Sequence, residues 1–256
     1  MAAFALARAL RAGETVFGGW SALGVPLLAE TLARDGFPAV ALDAQHGLWD
    51  INGLITGISA IYAAGAAPLV RMPLNDFALA ARALDFGAEG IIAPMINTAE
   101  DARRFAAAAK YPPLGERSWG PLRAMTLQGR NVATDYLREA NEGTLTLAMI
   151  ETKTALANID AIAATDGIDA LFIGPYDLAT ALSNGKAQDI LAPEVEAAVD
   201  KICAAAKKAG KIPGIYCRDG ARAAAMAKRG FRFITMGSDL GFFRDGATAQ
   251  MKAMKG

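Results

Sequence analysis

The alternation of short apolar runs with longer amphipathic segments restricts what this chain can fold into more than any other feature. The runs at residues 15–19, 39–43, 67–71, 90–93, 145–151, 170–173, 211–215 and 231–236 read as strands. Between them, segments such as 26–34, 76–86, 99–109, 154–164, 194–209 and 222–228 carry apolar residues at helical spacing, with charges on the opposite face. That rhythm predicts βαβ units and a parallel sheet. Eight such strands in 256 residues predict an α/β fold, a (β/α)8 TIM barrel. A doubly wound open sheet would need a G-x-G-x-x-G turn after an early strand. Phe17-Gly18-Gly19-Trp20 does not supply one.

One stretch breaks the rhythm. Tyr111-Pro112-Pro113-Leu114-Gly115 opens a segment rich in turn formers that stays polar to about Asn131. It reads as a loop insertion near 111–131, either functional or a plain insertion. No internal repeat or linker composition divides the chain, so residues 1–256 read as one domain.

Composition narrows the partners. Lysine plus arginine and aspartate plus glutamate both number 26, so the formal net charge is zero. Nucleic acid and anionic membrane surfaces favour a basic excess and are not expected partners. No apolar run approaches the roughly 18 residues of a membrane span. At the start, Arg8 and Arg11 fall within and after the apolar stretch rather than before it. That argues for a short amphipathic helix rather than an export signal. Two cysteines, Cys203 and Cys217, are too few for a disulfide framework, and a reduced cytoplasmic setting is expected.

In a barrel of this kind the chemistry collects in loops at the carboxyl ends of the strands. Asp43, Gln45 and His46 follow the second predicted strand, and His46 is the one histidine of the chain. Its unperturbed pKa near ~6.5 suits proton transfer, although a lone loop histidine is also an ordinary structural residue. Arg71 closes the third strand and could meet a carboxylate, a developing enolate or a salt-bridge partner. Glu151 ends the fifth, and Asp177 follows the sixth. Adjacent strands lie about 4.8 Å apart, so both carboxylates could reach one point. Two carboxylates with open positions suit a hard cation such as Mg2+ or Mn2+. A salt bridge for Glu151 and a helix cap for Asp177 are the structural alternatives. Asp85, at the end of an apolar helical segment, could orient the His46 imidazole or simply be solvated there. Trp20 stands at the end of the first strand, where it could wall a pocket.

These residues resemble the HpcH/HpaI aldolase family. The likeness runs from about Gly13 to Leu240. It is strongest at Asp43-Ala44-Gln45-His46, Arg71-Met72-Pro73, residues 87–95, residues 111–117, and Ile150-Glu151-Thr152 with residues 167–178. The last pair is the most specific, because it carries both expected metal ligands in order. The resemblance implies a barrel of the phosphoenolpyruvate/pyruvate type and a metal-dependent class II aldolase. Such an enzyme joins pyruvate, or a close 2-oxo acid such as hydroxypyruvate, to an aldehyde. It implies that Glu151 and Asp177 hold a divalent cation, Mg2+ or Mn2+, with Co2+ a further candidate. It implies that Arg71 contacts the keto oxygen and stabilises the enolate. His46, paired with Asp85, would move protons through a water on the metal. The backbone amides of Tyr176 and Asp177 would hold the substrate carboxylate, while Asp43 and Trp20 shape the pocket. A homo-oligomer is also implied, a trimer or hexamer, with the site partly completed by a neighbour.

The chain departs from the family pattern at three places. Gln45 stands where relatives carry a glutamate, Met149 where they carry a glutamine, and Gly47-Leu48-Trp49 replaces Ala-Pro-Asn. These changes bear on substrate choice more than on the chemistry. Rival readings are a Schiff-base aldolase using Lys153, a related lyase or hydrolase acting on a 2-oxo acid or thioester, and a barrel that binds 2-oxo acids without turning them over.

Overall fold

The structure, a computed structural model, describes residues 3–255. Met1 and Ala2, part of the expected N-terminal helix, lie outside the described residues, as does Gly256. The elements follow in chain order. They begin with α1 (Ala5–Arg11), β1 (Val16–Ser21), α2 (Pro26–Arg34), β2 (Ala39–Asp43), α3 (Ile51–Ala63), β3 (Ala67–Arg71), α4 (Phe77–Phe86) and β4 (Gly90–Ala93). Next come α5 (Ala99–Ala109), α6 (Leu122–Leu127), α7 (Ala133–Gly143), β5 (Leu145–Met149), α8 (Lys153–Ala157), α9 (Ile159–Ala163) and β6 (Ala170–Ile173). The chain ends with α10 (Pro175–Leu182), α11 (Pro193–Lys208), β7 (Ile212–Cys217), α12 (Gly220–Arg229), β8 (Phe233–Met236) and α13 (Asp239–Lys255).

The eight strands close into a parallel barrel in sequential order, with β1 also pairing β8. This is the expected (β/α)8 architecture. Strands β2, β4, β5 and β6 are buried along their whole length. Strands covered on both faces read as continuous apolar runs, which is why composition alone located them. Alternate residues fill two separate cores. Inward-pointing Ala41, Leu69, Ile92, Leu147, Phe172 and Phe233 pack in the barrel, and Leu6, Ala7 and Leu10 of α1 close its lower end. Outward-pointing Val40, Leu42, Val70, Ile91, Leu171 and Ile234 pack under the helices.

Several boundaries differ from the sequence expectation. Strand β1 runs past Gly18-Gly19 to Ser21, so Trp20 lies within the strand and points into the barrel. A Cβ at Gly18 would lie 3.2 Å from Thr235 Cγ2, so glycine here permits close strand approach rather than ending the strand. Strand β7 extends to Cys217 and includes Tyr216. The single helix expected over 154–164 is two, α8 and α9, parted at Asn158, whose side chain donates to the Asn97 carbonyl at 2.9 Å. The expected loop over 111–131 is partly helical, because α6 lies inside it. Both cysteines are buried and unpaired. Among the described residues, no helix is long and apolar enough to cross a membrane.

Candidate active site

A cavity of about 320 Å3 opens at the carboxyl ends of the strands. Trp20, Asp43, His46, Arg71, Tyr176 and Asp177 all line it, so six of the eight sequence-proposed residues meet in one place. Its lower wall is apolar, from Met149, Phe172 and Tyr216.

The polar floor begins with Asp43 and Arg71. They face each other in register at the ends of β2 and β3. Arg71 forks onto the carboxylate, Nε to Oδ1 at 2.9 Å and Nη2 to Oδ2 at 2.5 Å. Oδ1 also accepts the amides of Gln45 and His46, each at 3.1 Å, which shapes the turn after β2. Oδ2 accepts the Trp20 indole N–H at 3.3 Å. Burial alone would raise the Asp43 carboxyl, but Arg71 and the two amides together hold it below its usual range. The Arg71 guanidinium lies 4.9 Å from the Trp20 ring centroid, close enough for a cation–π contact. Two partners therefore hold Arg71 in one orientation. The imidazole of His46 is exposed at the cavity mouth.

Glu151 sits just behind the lining. The chain continues two residues past the last β5 ladder position, with the Ile150 amide still donating to Phe172 O at 2.8 Å. Glu151 Oε1 accepts the Met95 amide at 2.8 Å, and Met95 takes up a left-handed backbone (φ 56) at that point. Oε2 is buried and, among the described residues, has no hydrogen-bond partner. A side chain at Gly174 would collide with it, so glycine leaves a cradle between Oε2 and the cavity wall. Burial, with the nearby Asp177 charge adding to it, pushes the Glu151 carboxyl up to about 7. An orphaned buried oxygen with a second carboxylate beside it is an arrangement that a hard cation would satisfy. Among the described residues, no group of three or more His, Cys, Asp or Glu forms a fuller cage. The two carboxylates thus fit a divalent ion with several open positions for substrate or water.

Asp177 stands in the first turn of α10, which starts at Pro175 after Gly174. The first amides of a helix have no intrahelical acceptor, and Pro175 has no N–H. The amides of Tyr176 and Asp177 are therefore left at the cavity, at the positive end of the helix dipole. A substrate carboxylate fits there without a dedicated cation.

One expected contact is absent. Asp85 does not meet His46 within this chain. It is the penultimate residue of α4, and its Oδ1 accepts Arg117 Nη2 at 2.6 Å. A helix that follows a strand in this fold begins at the catalytic rim and ends at the opposite face. The end of α4 is thus carried away from the loop after β2. Arg117 itself is buried and lies 4.5 Å from the Tyr111 ring centroid, in the segment between β4 and β5. Lys153, the rival Schiff-base lysine, also points elsewhere: its amine donates to Asn184 Oδ1 at 2.5 Å, and it does not line the cavity.

Sequence reasoning did not assign Tyr216 or the Met95 amide. Tyr216 lies 5.4 Å from the Trp20 ring and 6.2 Å from the Tyr176 ring, between centroids. Extending the period-two alternation of β7 by one step places Tyr216 inside the barrel. The Met95 contact is made by backbone and leaves no trace in residue type.

Comparison with known proteins identifies the family. The HpcH/HpaI aldolase/citrate lyase family model matches residues 17–246. A hydroxypyruvate/pyruvate aldolase of Rhizorhabdus wittichii is 42% identical over 228 residues, covering 89% of each chain. A 5-keto-4-deoxy-D-glucarate aldolase of Klebsiella pneumoniae is 37% identical over 248 residues, covering 96% of this chain and 95% of that protein. The crystal structure of an HpcH/HpaI aldolase from Desulfitobacterium hafniense superposes with a TM-score of 0.91 at 30% identity, covering 99% of this chain and 97% of that one. The chain belongs to the HpcH/HpaI aldolase/citrate lyase family.

Proposed function

We propose that this protein is a divalent-metal-dependent aldolase, a carbon–carbon lyase that reversibly adds pyruvate or hydroxypyruvate to an aldehyde. The observation that carries the metal reading is the unpartnered Glu151 Oε2 beside Asp177, at the edge of a cavity that also holds a fixed arginine and free helix amides.

Forming or breaking a C–C bond next to a ketone passes through an enolate, whose negative charge is the main barrier. Mg2+, Mn2+ or Co2+ held by Glu151 and Asp177 would supply Lewis-acid polarisation of the 2-oxo acid. The amides of Tyr176 and Asp177 bind its carboxylate. Arg71 donates to the developing enolate oxygen, and its fork on Asp43 keeps it aimed before any charge appears. His46 moves the proton. In the condensation direction a C3 proton leaves the donor, C3 attacks the aldehyde carbon, and the former aldehyde oxygen takes a proton. Trp20 and Asp43 bound the pocket around the new bond.

We read the chain as a single-domain cytoplasmic protein that acts as a homo-oligomer, a trimer or hexamer. In such an assembly Asp85 reaches a His46 only across a subunit contact, since it is turned away from its own. Exchange of the pyruvate methyl protons in D2O tests the chemistry. Exchange that requires added metal and is abolished by EDTA supports the reading. Binding of pyruvate without exchange, and without aldol product from any aldehyde, sinks it.

A further inference from the structure

The amide that steadies Glu151 comes from a strained residue. Met95 stands two residues past the end of β4 with φ 56, in the left-handed region that residues other than glycine seldom adopt. The turn aims its N–H at Glu151 Oε1, 2.8 Å away. A methionine keeps such a conformation only where its flanks leave it no alternative.

Both flanks are fixed. On one side Ala93 ends β4 and pairs with Ala148 of β5. On the other, Ile96 is buried in the outer core, and Asn97 is tied across to the segment after Glu151. Asn158 Nδ2 donates to the Asn97 carbonyl at 2.9 Å, and Thr152 Oγ1 donates to Asn97 Oδ1. The Thr152 hydroxyl also accepts the Ala155 amide at 3.0 Å, so the first turn of α8 holds it in place. Asn158 stands where α8 gives way to α9, and this junction brings a side-chain donor to the loop after β4.

We propose that Asn158 is a positioning residue for the metal-binding carboxylate. Through Asn97 it keeps the 94–97 loop wound so that the Met95 amide holds Oε1, which leaves Oε2 turned to the cradle at Gly174. The inference rests on the reading of Glu151 as a metal ligand. Without the Asn158 tie, Met95 can relax to an ordinary backbone conformation and its N–H leaves Oε1. The carboxylate must then be ordered again each time a cation binds, and the cost appears as lower metal affinity. One neutral hydrogen bond limits that loss to about tenfold.

Mn2+ binding to the purified protein, without substrate, is followed through the electron paramagnetic resonance of the free ion. Asn158→Asp removes the donor, keeps the shape of the side chain and places a favoured residue at the start of α9. It is expected to weaken Mn2+ binding by about fivefold, within the reach of one hydrogen bond, while circular dichroism shows a native fold. Adding Met95→Gly tests the route of the effect. Glycine adopts positive φ without strain, so the loop no longer needs the tie, and the double variant should regain much of the lost affinity. Asn158→Ala, alone and with Met95→Gly, is read in the same way and separates loss of the donor from the added charge. Wild-type affinity in the folded Asn158 variants overturns the proposal. So does a loss that Met95→Gly leaves untouched or deepens, since Asn158 would then only support the junction of α8 and α9. Failure of the wild type to bind Mn2+, or equal binding by Glu151→Gln, condemns Glu151 as a ligand. Binding that Glu151→Gln loses and the Asn158 variants keep condemns only the role of Asn158.

Discussion

Asp43 and Arg71 sit opposite one another at the ends of adjacent strands and are joined through two hydrogen bonds. The pair is largely shielded, with 12% of the arginine side chain and 4% of the aspartate exposed. The guanidinium therefore does not swing freely, and its orientation is set before substrate arrives. Arg71→Lys keeps the charge but loses the fork and the planar contact with Trp20. We expect kcat for aldol addition to fall by roughly 10²-fold, the scale of one lost oxyanion donor. Steady-state kinetics decide it. A change confined to KM would mean that Arg71 binds substrate without acting on the enolate.

How much of this was legible before the structure depends on the kind of constraint. Strands β2, β3, β4 and β6 agree with their sequence reading end to end, because a run buried on both faces has no competing pattern. Strands β1 and β7 both run past the ends of their apolar runs. The run at 15–19 stops short because Gly18-Gly19 has no apolar side chain, yet those glycines serve strand contact, and the run at 211–215 stops short because Tyr216 carries a polar hydroxyl, yet its ring packs inside the barrel. The meeting of His46 with Arg71 follows from strand order alone. The supposed link from His46 to Asp85 did not, since it depends on which end of α4 faces the rim. The Met95 amide that steadies Glu151 could not be read at all, because any residue type offers the same N–H.

Chelation should separate the metal from the fold. Removing divalent ions with EDTA is expected to abolish proton exchange while leaving the circular dichroism spectrum intact, and Mg2+ or Mn2+ should restore exchange. Glu151→Gln should remove this rescue by lowering metal affinity, measured by titration calorimetry. Full rescue of the variant by metal at wild-type affinity would exclude Glu151 as a ligand.

Glu89 gives a pH dependence unrelated to the site. It is fully buried just before β4 and accepts the Phe4 amide at 3.0 Å, which ties down the entry to α1. Among the described residues its Oε2 has no hydrogen-bond partner, and burial pushes the carboxyl up to about 7. The folded state thus holds this proton more tightly than the unfolded chain. Stability is greatest below the unfolded value near 4.5 and falls as pH rises to about 7, above which the cost levels off. The span corresponds to roughly 3 kcal/mol. Thermal melts at pH 5 and pH 8 should show a smaller drop in Tm for Glu89→Gln than for the wild type. Parallel pH profiles for the two proteins would refute the assignment.

The position of Asp85 makes a prediction about assembly. Within one chain it is bound to Arg117 at the far end of α4, so any contact with His46 must come from another copy. His46→Ala and Asp85→Asn should each lower turnover sharply when prepared alone, while leaving metal binding near the wild-type level. Arg117 would keep an acceptor in Asp85→Asn through the amide oxygen, so that variant should still fold. If the two groups act together across a subunit boundary, the two damaged proteins can repair each other. Mixing them under conditions that allow subunit exchange creates some sites with an intact His46 from one copy and an intact Asp85 from another. Activity should then rise above that of either parent, and only after exchange. A mixture that stays at the average of its parents, with exchange verified by mass spectrometry, would show that Asp85 serves Arg117 and the segment between β4 and β5 rather than the imidazole.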